Sequence, residues 1–448
     1  MKNDTNSQII AEYIAATPAR AIPSEVLDAA RLCLVDWIGV CVGAIQEPAG
    51  KIVHSIASSW KSQGKSTLLL GGRAAPPFAA LCNGTLAHCL DFDDTYVKAV
   101  THTSAPVWAA TLAVGEQAGA SEQDMLAAFI TGFETAARIG YGLGEAITAR
   151  GWHGTGVFGR MGAAAASAVL LKLNADQTLH ALGAAATQTS GLVGSFGTMS
   201  KPFHAGKAAM DGVISAQLAR EGFQAATALL EPAGALDTAL IQDRSMTFSA
   251  ADFSQWEILN NSFKPYAACH LTHPAIDAAR NIDTTQLDLA AIQTIRALVG
   301  PLAKQVTGEK SGAPASALEG KFDLKYCIAL ALHGHTLSAA DFREPFTRDD
   351  AVFATARKIL VEGRPEYTFS SARLELAVES GQTITSDTPV AKGHPGNPMG
   401  WGDMWEKFDG LANASLGAQS RERFEQLRAF GSTRASGLSA IRSLSKPL

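Results

Sequence analysis

The 448 residues predict a mainly α-helical protein with a smaller α/β domain, and three observations carry that expectation. Apolar residues recur at helical spacing almost throughout from Gln8 to about Leu230. After Pro265 the texture turns to alternation, in Ile292-Gln-Thr-Ile-Arg-Ala-Leu-Val299 and Ala372-Arg-Leu-Glu-Leu-Ala-Val378. Helical spacing then returns beyond the loop Gly393-His-Pro-Gly-Asn-Pro-Met-Gly400.

Within the first region, helix starts are marked by Pro23-Ser24-Glu25, Ser121-Glu122 and Asn174-Ala-Asp176, each placing a capping side chain or an acid in a first turn. Ser66-Thr-Leu-Leu-Leu-Gly71 is a short strand-like excursion closed by Gly71-Gly72. In the second region, 372–378 and Gln382-Thr-Ile-Thr385 flank Ser380-Gly381 as a hairpin, with helices predicted over 325–332 and 349–359. A mixed α/β domain is thus expected over about 266–395. Tail helices over 403–411 and 416–430 either pack back onto the first domain, the favoured arrangement, or extend the second.

Composition narrows the function. The chain is 47% hydrophobic and 18% charged, below the ~25% charge of ordinary globular proteins, and small residues are plentiful enough for close helix packing. A net charge of −5 without a basic stripe leaves no electrostatic footprint for nucleic acid. Ala181 to Ser200 is the longest uncharged stretch, but Gln188, hydroxyls and glycines make it too polar to span a membrane. The polar start Met1-Lys-Asn-Asp-Thr-Asn-Ser-Gln lacks a signal-peptide core, so a soluble cytoplasmic protein is expected. Six cysteines without a Cys-x-x-Cys pair argue against a zinc site, an iron–sulfur cluster and a disulfide framework.

Three motifs fail. Gly64-Lys65-Ser66 lacks the first glycine of a phosphate loop, because position 59 is Ser. Gly140-x-Gly142-x-Gly144 has the wrong spacing for a dinucleotide site and follows a helix rather than a strand. There is no Gly-x-Ser-x-Gly elbow for a serine hydrolase.

Five segments survive. His88-Cys-Leu-Asp91-Phe-Asp93-Asp94-Thr95, followed by Thr101-His102-Thr-Ser104, crowds three carboxylates into four positions. Such crowding needs donors, a metal or a substrate hydroxyl, unless the cluster is a solvated helix end. His88, Asp91 and His102 are suitable metal ligands. Gly151-Trp-His153-Gly-Thr-Gly156 holds a histidine at a helix entrance, as a site residue or as a satisfied structural one. Lys201-Pro-Phe-His204-Ala-Gly-Lys207 opens a helix running to about Glu221, where cations oppose the helix dipole unless an anion neutralises them or the lysines point to solvent. Lys264-Pro-Tyr-Ala-Ala-Cys269-His270-Leu-Thr272-His273-Pro274 lies where the two textures meet, a common place for a cleft, with Thr272 able to cap the following helix. Lys321-Phe-Asp-Leu-Lys325-Tyr326 begins a helix whose tyrosine could reach the same cleft or belong to the core.

In this order the segments resemble the MmgE/PrpD family over nearly the whole chain, in five blocks: His88-x-x-Asp91-Phe-Asp-Asp-Thr95; Trp152-His153; Lys201-Pro-Phe-His204-Ala-Gly; Lys264-Pro-Tyr with Thr272-His-Pro-Ala-Ile-Asp277; and Lys321-Phe-x-Leu-x-Tyr326. That family includes 2-methylcitrate dehydratase, cis-aconitate decarboxylase and iminodisuccinate epimerase. The resemblance implies a large helical domain formed by both chain ends (1–265 and 396–448), an α+β lid domain (266–395), a homodimer, and neither a metal nor an organic cofactor. It places active-site residues at Asp91, Thr95, His102, His153, Lys201, Lys264 and Tyr326. This chain departs from the pattern at Thr103, where many relatives have Pro, and at Gly154 and Gly156.

The implied chemistry is proton transfer next to a carboxylate of a small di- or tricarboxylate, with Lys201 and Lys264 stabilising the charge that develops. His102 and His153 would serve as base and acid. Asp91 would orient an imidazole, Thr95 would bind a substrate oxygen, and Tyr326 would bind one or relay a proton. His204 and Lys207 join the substrate-binding set from the helix start. Dehydration or decarboxylation by a lyase is the leading expectation; epimerisation of a dicarboxylate and non-catalytic anion binding are the alternatives.

Overall fold

The computed structural model describes residues 5–231, 234–242, 252–342, 349–379, 381–432 and 437–444. Its first half runs through α1 (Asn6–Ala15), α2 (Ser24–Gly43), α3 (Pro48–Ser59), α4 (Pro76–His88), α5 (Ser104–Ala118), α6 (Glu122–Gly140), α7 (Gly144–Ala149), α8 (Gly154–Leu170), α9 (Ala175–Ala186), α10 (Ser200–Arg220) and α11 (Ala235–Ile241). Two of the three starts read from sequence are physical caps, since Ser121 and Asn174 each accept from the backbone three residues on and the residue there returns a bond, whereas α2 starts after Pro23 without a side-chain cap and has only Glu25 in its first turn. Thr5 does the same for α1.

Helix α8 is buried on nearly every face, and α5, α6 and α10 pack around it. Small residues allow the close approach. A Cβ at Gly206 of α10 would lie 2.2 Å from the Leu81 carbonyl oxygen of α4, and one at Gly132 of α6 would lie 2.6 Å from the Gly162 oxygen of α8. The alanine-rich texture is thus a packing requirement of a many-helix core.

Two short antiparallel pairs interrupt the helices: β1 (Ser66–Thr67) with β2 (Arg73–Ala74), and β3 (Thr95–Tyr96) with β4 (Asn261–Ser262). The first is the excursion expected at Ser66. The second joins the loop after α4 to the junction that follows the helical half.

Beyond that junction come α12 (His273–Arg280), β5 (Ile292–Val299), α13 (Pro301–Ala303), α14 (Ala317–Gly320), α15 (Leu324–Leu332), α16 (Asp350–Ala356), β6 (Ile359–Gly363), β7 (Ala372–Val378) and β8 (Thr383–Thr388). Their sheet has the order β6-β5-β7-β8, with β5 parallel to β6 and the remaining pairs antiparallel. Gly381, at φ +82°, lies in the β7–β8 turn. One expectation is corrected. The helix read over 349–359 stops at Ala356, and Ile359 opens β6, a strand hidden by its shortness and its apolar run into the preceding helix.

The tail forms α17 (Trp401–Leu416), α18 (Ser420–Arg428) and α19 (Gly437–Leu444). Helix α17 lies on α2, with Phe408 and Leu411 against Gly39 and Gly43. Glu122 of α6 accepts from the backbone of Gly431 (2.8 Å) and Leu438 (2.7 Å), and Arg442 pairs with Glu116 of α5 at 2.8 Å. Among the described residues no helix is long and apolar enough to cross a membrane.

Candidate active site

Helix α4 delivers His88 at its last turn, and the chain then reverses through Asp91, held at φ +52°. Asp91 Oδ1 forms an ion pair with Lys201 from the first turn of α10, lies 3.2 Å from Lys264 Nζ and 3.6 Å from His102 Nε2. The β3–β4 pair produces this convergence, since Thr95 faces Ser262, two residues before Lys264. Burial works to raise the Asp91 carboxyl, but Lys201 and Lys264 outweigh it and hold it well below the usual carboxylate value. Asp93 accepts from His88 Nδ1 at 2.9 Å and lies 3.3 Å from His102 Nδ1. Its carboxyl is also held low, burial opposing and the two imidazoles lowering it.

His102 sits between these carboxylates, its backbone N–H donating to Thr155 Oγ1 at 3.0 Å. Burial brings its imidazole down to about 3, against the raising pull of Asp93 and with a smaller lowering push from Lys264. His153, at the entrance of α8, donates its backbone N–H to Gly191 O at 3.0 Å. Its Nδ1 lies 3.1 Å from His204 Nδ1, so one ring must present N–H and the other a lone pair. Burial first, then the Lys201 charge, holds His153 well below the usual imidazole value, and the same two causes lower His204.

Thr95, His102, His153, Lys201 and His270 line one cavity of about 40 Å³, closed by apolar walls that include Phe196, Val306 and Phe322. A larger cavity of about 410 Å³ shares Thr148, Phe196, Val306 and Phe322 with it and leads outward past Gly194 and Lys310. Thr95 Oγ1, His153 Nε2 and His270 Nδ1 are buried polar atoms without a protein partner among the described residues. Buried polar groups left this way are costly, and here they surround a space where a polar ligand would satisfy them. Neutral imidazoles beside a lysine in an apolar enclosure suit proton transfer on an anionic carbon acid.

The sequence expectations meet this geometry unevenly. Thr95, His102, His153 and Lys201 line the cavity, with Asp91 and the fully buried Lys264 directly behind Lys201 and His102. His204 reaches the cavity only through His153. Lys207 pairs with Asp211 one turn on, a carboxylate shared with Arg160 at 3.0 Å, because the helix turns its side chain away from Lys201. Tyr326 also lies apart from the cavity. Its ring lies 5.7 Å from Phe353 and 6.4 Å from Phe342 in the core of the α/β half, and it is not among the cavity-lining residues. Thr272 does not cap α12, since it lies in a 3-10 turn and bonds Cys269 O at 2.7 Å. His270 is a cavity residue beyond those expected from sequence; its signal is a second histidine three residues before His273 at the junction.

His88, Asp91, Asp93 and His102 each bring a donor atom within 4.8 Å of the others, a set that could hold a metal ion. The ammonium groups on Asp91 already supply positive charge there, which a divalent cation would have to displace.

Comparison with known proteins agrees with the geometry. A family model described as the MmgE/PrpD N-terminal domain matches residues 8–249, and one described as the MmgE/PrpD C-terminal domain matches residues 266–430. The chain is 27% identical over 435 residues to the cis-aconitate decarboxylase-like protein oryM of Aspergillus oryzae, covering 90% of each. It is 26% identical over 399 residues to cis-aconitate decarboxylase of Aspergillus terreus, covering 81% of this chain and 80% of that one. With the Homo sapiens cis-aconitate decarboxylase it shares 26% identity over 357 residues, 77% of this chain and 73% of the relative.

Proposed function

Because this chain belongs to the MmgE/PrpD family, we propose that it is a lyase acting without a cofactor on a small di- or tricarboxylate, and that decarboxylation of a cis-aconitate-like tricarboxylate is its reaction. The observation that carries this reading is the meeting of His102, His153 and Lys201 in one largely apolar cavity.

In this reading one substrate carboxylate docks on Lys201, with Thr95 Oγ1 donating to a substrate oxygen. The carboxylate that leaves lies against the apolar walls, where losing charge as carbon dioxide is favoured over staying ionised. Its carbon–carbon bond breaks, the electron pair passes into the conjugated neighbouring carboxylate, and Lys201 stabilises the charge there. A proton then returns to carbon from an imidazolium. Burial first and the Lys201 charge second keep His153 neutral in the free protein, so a bound polyanion that neutralises Lys201 removes the second cause and raises the affinity of that imidazole for a proton. Protonation of the acid is thereby tied to substrate binding. A homodimer and a cytoplasmic location accompany the proposal, and light scattering of the purified protein tests the first.

Proton NMR in heavy water with cis-aconitate, 2-methylcitrate and iminodisuccinate, each with and without a chelator, tests the reaction. Loss of carbon dioxide from cis-aconitate with one deuteron incorporated, unchanged by the chelator, is expected. Elimination from 2-methylcitrate alone makes the protein a dehydratase, and exchange without bond cleavage an epimerase. Binding without exchange into any of the three overturns the lyase reading, and activity lost to the chelator and restored by a divalent ion overturns the cofactor-free one.

A further inference from the structure

Three consecutive carbonyls in the loop that carries Asp91 are each capped by a different buried lysine. Lys321 Nζ donates to Leu90 O at 2.8 Å, Lys264 Nζ to Asp91 O at 2.7 Å and Lys407 Nζ to Phe92 O at 2.6 Å. The lysines come from distant places: the turn after α14, the junction after β4, and α17 in the tail. Neither Lys321 nor Lys407 lines the cavity that holds His102 and His153.

A loop needs such treatment here. Asp91 is an L-residue at φ +52°, in the left-handed region that favours glycine, and its neighbours' carbonyls cannot continue the α4 ladder. Lys407 also pairs with Asp36 at 2.5 Å, and the other oxygen of Asp36 accepts from Asp94 N at 3.0 Å. Asp94 is in turn fixed by Ser104 Oγ at 2.5 Å and Asn261 Nδ2 at 2.7 Å. Lys321 brings the α/β half into the same arrangement, because its own carbonyl accepts from Cys269 N at 2.8 Å, next to His270. Burying an ammonium to hold a carbonyl is an expensive way to stabilise a turn, and three at consecutive residues point to a requirement for geometry.

We propose that Lys321 and Lys407 are positioning residues which, through the Leu90 and Phe92 carbonyls, set the direction of the Asp91 carboxylate toward His102 and Lys201, and that Lys321 makes this setting depend on the seating of the α/β half. This rests on the lyase reading for its kinetic consequence but not for its geometric one. A displacement of a catalytic group by about 1 Å costs up to about 10²-fold, so Lys321→Met is expected to lower kcat by roughly 10–10²-fold with KM changed by less than about threefold. Lys321→Arg, which keeps charge and donors, restores most of the loss.

The geometric readout is the ¹⁵N shift of the His102 ring in histidine-labelled protein at pH 8 without ligand, assigned by its loss in His102→Gln. Asp91 at Nε2 and Asp93 at Nδ1 compete for the one ring N–H of neutral His102, so Lys321→Met should shift the tautomer balance toward Nδ1–H, because Asp91 no longer holds its orientation toward Nε2. Unchanged His102 shifts in a folded Lys321→Met protein overturn the proposal, as does an unchanged kcat in an active enzyme. If the methionine variant does not fold, Lys321→Gln is read in its place, and failure of both to fold assigns Lys321 to stability alone and also overturns it. A wild type inactive on all three acids sinks the lyase reading, while the imidazole shifts still decide the positioning one.

Discussion

The two walls of the cavity are built on opposite electrostatic terms. On the Asp91 wall two carboxylates, Asp91 and Asp93, are met by two lysines and two imidazoles, and charge neutralises charge before any ligand arrives. On the His153 wall two imidazoles face each other with no carboxylate between them, and the nearest charge, Lys201, disfavours their protonation. In the proposed reaction the difference separates tasks: the first wall holds a substrate-facing cation in place, whereas the second takes up a proton when a polyanion enters.

The largest expected effect breaks the saturated wall. Asp91→Ala leaves Lys201 and Lys264 buried without their carboxylate, and removing one partner of a buried pair costs about 3–5 kcal/mol. Urea unfolding should show that loss, and a change below about 1 kcal/mol would place the compensation elsewhere. Next comes the reactive pair. His102→Ala and His153→Ala should each lower turnover by ~10²-fold or more at little cost in folding. Near-normal turnover in both variants removes them from acid–base chemistry.

The smallest effect sharpens the comparison through pH. His153 is held below 6.5 in the fold, so the unfolded chain takes up a proton there as pH falls through 6.5 while the fold does not. The fold therefore loses about 1.4 kcal/mol per pH unit below 6.5 from this one group. Asp94, pushed up to about 7 by burial and then by Asp36, acts in the opposite sense and favours the fold as pH drops from 7 toward 3.8. His153→Gln should accordingly make stability fall less steeply between pH 6.5 and 5. An identical slope in the variant would show that His153 is not kept neutral by its wall.

Much of this site was legible in the sequence because its members cluster in short segments with unusual local chemistry. Asp91, Thr95 and His102 stand within twelve residues, and Lys201 and His204 share a helix start. What was illegible followed from direction rather than proximity along the chain. Lys207 lies six residues from Lys201, about 240° around the helix, so it does not face the same space, and it found Asp211 instead. Tyr326 follows a capped helix start that turns its ring into the α/β core. The strand at Ile359 was lost because a short buried strand and the end of a buried helix carry the same apolar signature.

Helical texture, capping residues, the change of pattern at the junction and the segments that carry the candidate site follow from the sequence alone, since they depend on local periodicity and on side-chain chemistry. Which groups meet was decided only by tertiary structure. The β3–β4 pair, the return of α17 to α2 and the packing of α10 against α4 bring Lys264, Lys407 and Lys201 to the six-residue loop between α4 and β3 from positions 110 or more residues away. No local pattern encodes such an encounter, because burying a charge is favourable only where the fold supplies its partner.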